Sequence, residues 1–152
     1  MRSRITATIA AGALLALAGC ATTGMSDAEK LATYRAAAGE PVSSFSYLGR
    51  ISGWTPLDRE HIAVWTRPRE AWLLGFHGIC QDIEFAPVIG LTSQNSRVYA
   101  GFDKVLVDRH NSIQLPCRIR EIRPLDTNRI KAAEKAAREA AEAGSQGASS
   151  GT

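Results

Sequence analysis

The sequence lacks the local motifs that identify the common enzyme classes. It has no serine-hydrolase nucleophile elbow, no H-E-x-x-H metal motif, no phosphate-cradling glycine loop and no calcium-binding loop. Its 152 residues include only 3 histidines and 3 cysteines, so few side chains are available for acid–base, nucleophilic or metal chemistry. These absences argue against the enzyme families that such motifs define, and no cofactor is expected.

The sequence also has little net charge. The whole chain carries a formal charge of +3, but Arg2 and Arg4 lie in a segment that we expect to be removed, and without them 16 basic residues face 15 acidic ones. A nucleic-acid-binding domain normally carries a strong basic balance or a basic patch. The nearly neutral mature chain therefore predicts no nucleic-acid partner.

The apolar run near the amino terminus is too short to cross a bilayer comfortably. It covers residues 5–17, whereas a membrane-spanning helix needs about 20 apolar residues. Arg2 and Arg4 precede it and small residues follow it. A positive start, a short apolar stretch and small residues before a break predict a secretory signal peptide over residues 1–19.

The end of this segment has a more specific pattern. Leu17-Ala18-Gly19-Cys20 resembles the lipobox of bacterial lipoproteins. The resemblance implies cleavage before Cys20 and attachment of acyl chains, such as palmitate, to its sulfur and its new amino group. Such a cysteine carries three acyl chains in all. Each methylene group buried in the bilayer contributes about 0.8 kcal/mol to membrane binding, so the three chains would be a nearly permanent anchor. Ala21 in place of Asp favours the inner leaflet of the outer membrane, facing the periplasm. An ordinary cleaved signal with a chance cysteine is the alternative.

The rest of the chain divides into four segments by composition. We predict a tether over residues 20–25, one β-rich domain with a leading helix over 26–125, a charged alanine-rich helix over 126–143 and a disordered tail over 144–152. Ser26 and Glu29 match a capping box at the start of the leading helix. Gly39 and Pro41 are expected to end that helix.

Between the helices the pattern predicts many short strands with no helix between them. Period-two alternation and regularly spaced turns are typical of an antiparallel sandwich or small barrel. The fold class is therefore mainly β, with a short N-terminal helix and an exposed C-terminal helix. Residues 53–58 are predicted to be a turn, and the predicted strands cover residues 45–51, 61–66, 71–76, 83–85, 88–92, 98–99, 104–109, 113–115 and 117–122.

Two cysteines remain if Cys20 is acylated. In an exported chain, Cys80 and Cys117 would meet an oxidising compartment, where such pairs normally form a disulfide. A metal pair with His77 and a redox-active thiol are the alternatives. A zinc site needs three or four ligands, and Cys117 has no second ligand beside it, so we expect the disulfide and no metal.

The candidates for catalysis are weak. His77, near a glycine turn, and Asp103, in Gly101-Phe102-Asp103, could act as an acid or base. Structural roles compete with both: a hydrogen-bonded or exposed His, and a turn-capping Asp. The same holds for the remaining histidines, His61 and His110.

Two groups of side chains could bind a ligand. The tryptophans could line a sugar or peptide groove, although large aromatic residues in a small β domain more often form its core. The arginines of the last predicted strand could meet an anionic lipid headgroup or peptidoglycan, or form a solvated strand face. The residues concerned are Trp54, Trp65 and Trp72, and Arg118, Arg120 and Arg123.

The central part of the chain resembles a group of small proteobacterial envelope lipoproteins whose domain is of unknown function. The resemblance covers roughly residues 45–125 together with the lipobox. It implies no activity and therefore no catalytic residues. We expect a lipid-anchored, periplasm-facing binding or structural module, with an envelope protein or peptidoglycan as a possible partner. The alternative is an enzyme or enzyme inhibitor acting on envelope material. The resemblance rests on Trp54, Val64-Trp65-Thr66, Trp72-Leu73-Leu74, Cys80, Gly101-Phe102-Asp103 and Cys117-Arg118-Ile119.

Overall fold

The computed structural model describes residues 24–109 and 112–149. Six strands form one antiparallel sheet in the order β2-β3-β4-β8-β7-β5, and β1 pairs with β6 in a second, two-stranded sheet. The larger sheet is curved into a half-barrel. The predicted mainly β fold with antiparallel strands and two flanking helices is confirmed. Cys20, His110 and the signal peptide lie outside the described residues.

The helices and strands alternate with short connections. Helices α1 and α2 span Asp27–Ala36 and Thr127–Ser149. The strands are β1 Ser44–Ser46, β2 Gly53–Pro56, β3 His61–Arg67, β4 Glu70–Phe76, β5 Val88–Leu91, β6 Arg97–Tyr99, β7 Lys104–Arg109 and β8 Ser112–Leu125.

The start of α1 has the predicted capping box. The Ser26 hydroxyl accepts a hydrogen bond from the Glu29 backbone N–H, and the Glu29 carboxylate accepts one from the Ser26 backbone N–H at 2.8 Å. Two of the helix's first N–H groups are thereby satisfied. The Ser26 hydroxyl also donates to this carboxylate at 2.7 Å, and this hydrogen bond, followed by the one from the Ser26 N–H, lowers the pKa of the Glu29 carboxyl.

Three short segments differ from the prediction. The first strand ends at Ser46 instead of continuing to residue 51, and Gly49, whose φ is 84°, interrupts the extended chain before that point. Residues 53–58 were expected to be a turn, but Gly53–Pro56 is a strand that pairs with β3. Because β2 is the outermost strand of the sheet, Pro56 is tolerated there. Ile83–Phe85 forms a 3-10 helix instead of a strand. It follows Asp82, whose φ of 59° interrupts an extended chain.

The last strand is longer than predicted. Where the sequence indicated two strands, 113–115 and 117–122, the structure has one, Ser112–Leu125, which continues through Pro116. Pro116 pairs with Leu106 of β7. On its other side β8 meets β4 only from Ile119 onward. A proline is tolerated where a strand has a partner on one side only, so Pro116 does not end the strand.

The curved sheet encloses an apolar interior on one side, which we call the inner face. Alternate residues of β3, β4, β5, β7 and β8 point into it, as period-two strands require. Phe45 of β1 and Val98 of β6 complete it from the smaller sheet. Its buried members are Phe45, Tyr47, Ile62, Val64, Leu74, Phe76, Cys80, Ile83, Ile89, Leu91, Val98, Val105, Val107, Ile119 and Ile122.

A disulfide joins Cys80 to Cys117 at the edge of this interior. The two residues are 37 positions apart in sequence, and their Cα atoms are 5.5 Å apart. Cys80 is almost fully buried, whereas Cys117 on β8 is partly exposed. The structure therefore has the crosslink expected from the sequence. It links the loop after β4 to the strand next to β4 in the sheet.

The two helices cover part of the opposite side of the sheet, which we call the outer face. Tyr34 of α1 and Ile130 of α2 pack there with Leu73 and Leu125. The hydroxyl of Tyr34 donates a hydrogen bond to Glu134 of α2 at 3.1 Å. The first turns of α2 are thus docked on the domain, which the sequence had left open.

Helix α2 extends beyond its predicted end. It was expected to stop near residue 143 and to be followed by a disordered tail, but it continues to Ser149. The sequence beyond residue 143 contains glycine and serine but no proline. Glycine weakens a helix by about 1 kcal/mol relative to alanine, whereas proline removes a hydrogen bond and clashes with the preceding turn. Nothing in this stretch therefore forces the helix to end.

Candidate functional site

The two catalytic candidates named from the sequence lie on different sides of β8. His77 follows β4 and is exposed, and its backbone N–H donates to the Arg118 carbonyl at 3.2 Å. The Asp103 carbonyl, on the β7 side, accepts from the Ile119 N–H at 3.0 Å. The residues do not share a cavity with the charged side chains described below.

The Asp103 carboxylate accepts hydrogen bonds from residues around its own turn. It is only 2 % exposed. One oxygen accepts from the Thr92 hydroxyl and the other from the Tyr99 backbone N–H, each at 2.7 Å. A carboxylate whose two oxygens are buried and hydrogen-bonded stabilises local structure and has no oxygen open to a substrate. This geometry fits the turn-capping alternative.

The three tryptophans are divided between the two faces of the sheet. Trp54 and Trp72 pack against the inner-face core, where Trp72 stacks on Phe45 with ring centroids 5.0 Å apart. Trp65 lies on the outer face and meets the Tyr34 ring edge-on at 6.0 Å. Side chains on opposite faces of a sheet cannot line one groove. The tryptophans are part of the packing.

A cluster of charged side chains forms a different site, which we call the charged groove. It is a cavity of about 300 Å³ on the outer face, beside the end of α1 and above β3, β4 and β8. The helices do not cover this part of the sheet. Its lining residues are Arg35, Ala38, His61, Leu73, Arg120, Glu121 and Arg123.

Strand register brings the groove together around a glycine. His61 of β3 is paired with Gly75 of β4, which is paired with Glu121 of β8. Directly opposed residues share a face, and the middle one has no side chain. A Cβ at Gly75 would lie 3.5 Å from the Arg120 Nη2 and 3.7 Å from the His61 Nε2. The histidine and the arginine therefore lie over the glycine.

A β-bulge explains why Arg120 and Glu121 both reach the groove. Consecutive residues of a regular strand point to opposite faces. The register of β8 against β4 shifts between Gly75 and Phe76, which pair with Glu121 and Ile119 respectively. Arg120 is thus an extra residue on β8, and such bulges redirect side chains.

His61 is held from both of its ring nitrogens. Its Nδ1 lies 2.9 Å and 3.1 Å from the two Asp58 carboxylate oxygens, and its Nε2 lies 3.4 Å from the Arg35 Nη2. Arginine can only donate, so Nε2 accepts and Nδ1–H donates to Asp58. The two contacts together orient the ring.

Glu121 and Arg123 form an ion pair in the groove. The Arg123 Nε donates to one Glu121 oxygen at 2.8 Å and the Nη2 to the other at 3.2 Å. These hydrogen bonds lower the pKa of the Glu121 carboxyl, and the charges of Arg123 and Arg120 act in the same direction. The Arg123 Nη1 also donates to the Gly39 carbonyl at 3.2 Å. Each of the three guanidinium nitrogens of Arg123 therefore already donates a hydrogen bond within the domain.

Arg35 and Arg120, unlike Arg123, have no carboxylate partner among the described residues. Among the described residues, no carboxylate lies within 4 Å of either guanidinium group. The described part of the chain also has no cluster of three His, Cys, Asp or Glu side chains that could hold a metal ion. The groove thus offers two unpaired cations and a fixed imidazole, which suits binding of a polar group better than metal chemistry.

Sequence reasoning missed most of this site. It named His61 and the arginines of β8 but did not connect them with Asp58, Arg35 or Glu121. Two signals were present: Asp58 lies three residues before His61, and Gly75 interrupts the apolar residues of β4. A glycine inside a strand often marks a bulge or a close approach. The partners themselves come from distant segments.

A second cavity, of about 340 Å³, lies near the turn between β3 and β4. Its lining includes Arg50 and Arg67, and Arg67 is paired with Glu70 at 3.0 Å. It contains no histidine or carboxylate. The charged groove is therefore the better candidate for a functional site.

Comparison with known families gives one finding. The model of a "Family of unknown function (DUF6491)" matches residues 1–141. Neither the curated proteins nor the solved structures contain a match. No helix among the described residues has both the length and the apolar character needed to span a membrane.

Proposed function

The chain belongs to DUF6491, a family of unknown function, and we propose that it is a lipid-anchored binding module that faces the periplasm. The observation that carries the anchor is Leu17-Ala18-Gly19-Cys20, which comes directly after a signal-like segment. The observation that favours binding is the charged groove. Asp103 and the three tryptophans are engaged in the domain's own structure, and His77 lies outside the groove.

The short tether keeps the domain close to its anchor. Ser26, the cap of α1, lies six positions after Cys20. At about 3.3–3.6 Å per residue these positions span roughly 20 Å when fully extended. A domain held so near a bilayer meets ligands in the envelope at high effective concentration. By analogy with lipoprotein sorting, Ala21 in place of Asp favours the inner leaflet of the outer membrane as that bilayer.

The contact between Asp58 and His61 favours a second candidate, an enzyme acting on envelope material. An Asp that orients a His is the arrangement of many general bases. A base, however, must accept a proton from the substrate at its free nitrogen. In this groove the Arg35 N–H group already points at that nitrogen. Binding is therefore the function that the geometry supports best.

The anchor can be tested by labelling cells with a palmitate analogue and measuring the intact mass of the purified protein. We expect the wild type to carry acyl mass on Cys20 and the Cys20→Ala variant to carry none. A Cys117→Ala variant is the control and should keep the label, because its change leaves the lipobox intact. A wild-type chain without acyl mass, or one recovered from the cytosol, would contradict the anchor.

Complementation of a deletion strain separates the two candidate functions. A binding module should be weakened but not abolished by His61→Gln, because the glutamine amide can still accept a hydrogen bond from Arg35, and should lose rescue with Arg35→Gln combined with Arg120→Gln. An enzyme that uses His61 should lose rescue with His61→Gln alone. His77→Gln is the control, since that side chain is exposed and outside the groove.

A further inference from the structure

We propose that the charged groove binds a small oxyanionic group, a carboxylate or a phosphate, between Arg35 and Arg120. The inference deepens the proposed binding function and rests on it. It does not depend on the lipid anchor. The chemistry that recognises the ligand is a pair of guanidinium groups, which match the oxygens of carboxylates and phosphates with two parallel hydrogen bonds.

The first support is the position of the two cations. One arm of Arg35 donates to the His61 Nε2. That same nitrogen and the Arg120 Nη2 both lie within 4 Å of the point above Gly75 where a side chain would begin. Both guanidinium groups therefore line the same cavity, over a floor that has no side chain. Like charges in one cavity repel each other, and an anion bound between them would offset that repulsion.

The second support is the charge balance of the groove. The two carboxylates that contact side chains of the groove each have a partner. Glu121 is bound by Arg123, and Asp58 accepts from His61 and from the Glu60 N–H. Arg35 and Arg120 thus remain the unneutralised charges of the groove among the described residues. Hydrogen bonds between an arginine and an anion are among the strong ones in proteins.

The third support is the rigidity and size of the site. Asp58 holds His61, and His61 in turn accepts from Arg35, so the Arg35 guanidinium is oriented before a ligand arrives. Preorganisation of this kind reduces the entropy that binding costs. The cavity of about 300 Å³ is at the lower end for small-molecule sites. It accommodates a single acidic group with a short attachment and has Leu73 as its main apolar wall.

Calorimetric titration of the full-length protein in a zwitterionic detergent tests the proposal. Inorganic phosphate and acetate are the two probes, and chloride holds the ionic strength constant. We expect saturable binding of phosphate, acetate or both, and the preferred probe identifies the class of the ligand. Arg35→Gln and Arg120→Gln should each raise the Kd about tenfold or more, since each removes a charged hydrogen-bond partner.

Two further variants locate the anion. Arg118→Gln removes an exposed arginine two residues from Arg120 on the same strand and should change the Kd less than twofold. Gly75→Ala leaves every charge in place but puts a methyl group on the groove floor, at ordinary contact distance from its neighbours. It should weaken binding while leaving the thermal transition nearly unchanged, and circular dichroism should verify that each variant is folded.

The proposal is wrong if neither probe saturates, if Arg118→Gln weakens binding as much as Arg120→Gln, or if Gly75→Ala binds like the wild type. The second result would indicate that the anion is attracted by the positive charge of the strand as a whole and not by a defined site. A Cys20→Ala protein should bind the probe with unchanged Kd. A failed anchor and a failed oxyanion site would therefore be separate results.

Discussion

The two faces of the central strands differ in almost every respect, although alternate residues of the same strands form them. The inner face is closed, apolar and crosslinked by Cys80–Cys117. The outer face is covered by helices over one part and open over the charged groove. Leu73 and Leu74 are neighbours on β4, yet Leu74 is enclosed by the core while Leu73 borders the groove.

This difference indicates that one face of a small domain can supply its stability while the other face remains available for binding. Its packed part is small, so the interior must supply most of the free energy of folding. The open part of the outer face holds polar groups that face one another across three strands. Each of these groups needs a hydrogen-bond partner or water. Covering this region without such partners would cost free energy of folding, and leaving it open makes it available for binding.

The comparison predicts that the crosslink on the inner side has the largest single effect. Replacing both Cys80 and Cys117 with alanine should lower the free energy of unfolding by about 4 kcal/mol, since closing a loop of this length restricts the unfolded chain. Urea denaturation measures the change. Wild-type protein unfolded in the presence of a reductant is the control, because it loses the crosslink but keeps both sulfur atoms. A change below about 1 kcal/mol would show that the interior does not depend on it.

A matched pair of leucine substitutions compares the faces directly. Leu74→Ala should cost about 3–4 kcal/mol and Leu73→Ala about 2 kcal/mol, because a void in a closed interior collapses poorly whereas one beside the groove can relax or admit water. Chemical denaturation of both variants checks this order. Leu48→Ala is the control: Leu48 is 74 % exposed, and its change should stay within about 0.5 kcal/mol. An equal or larger loss for Leu73→Ala would contradict the distinction between the faces.

The smallest predicted effect is the loss, at acid pH, of the stabilisation that the Glu121–Arg123 ion pair gives to the outer face. The hydrogen bonds from Arg123 lower the pKa of Glu121 in the folded state below its ordinary value. The folded protein therefore binds this proton less readily than the unfolded chain does. The stabilisation is complete above the unfolded pKa and is lost as the pH falls through the lowered folded pKa.

Denaturation of Glu121→Gln at a series of pH values from 7 to 3 measures this contribution. The variant should lose less stability on acidification than the wild type, because it has no carboxyl to protonate. Glu139→Gln, on the exposed part of α2, should follow the wild type. Parallel pH profiles for the wild type and Glu121→Gln would show that the ion pair contributes nothing.

Local features of the fold were predictable from local residues. The capping box at Ser26 and Glu29 and the strands β3, β4 and β7 follow from spacing within a few residues. The disulfide was predicted from the number of cysteines together with the expected export of the chain. The errors lay where the tertiary position of a segment decides its conformation: Pro56 is acceptable in a strand because that strand is outermost, and Pro116 because β8 has one partner there.

By itself the sequence determined the mainly β class, the flanking helices and the pairing of Cys80 with Cys117, because each depends on periodicity, capping or residue count along the chain. Only the tertiary structure decided that His61, Arg120 and Glu121 share one groove. Their meeting requires the register of β3 and β8 on either side of Gly75, together with the bulge at Arg120. Register is settled by burial of a whole strand face and by pairing between distant segments, which no local stretch of sequence specifies.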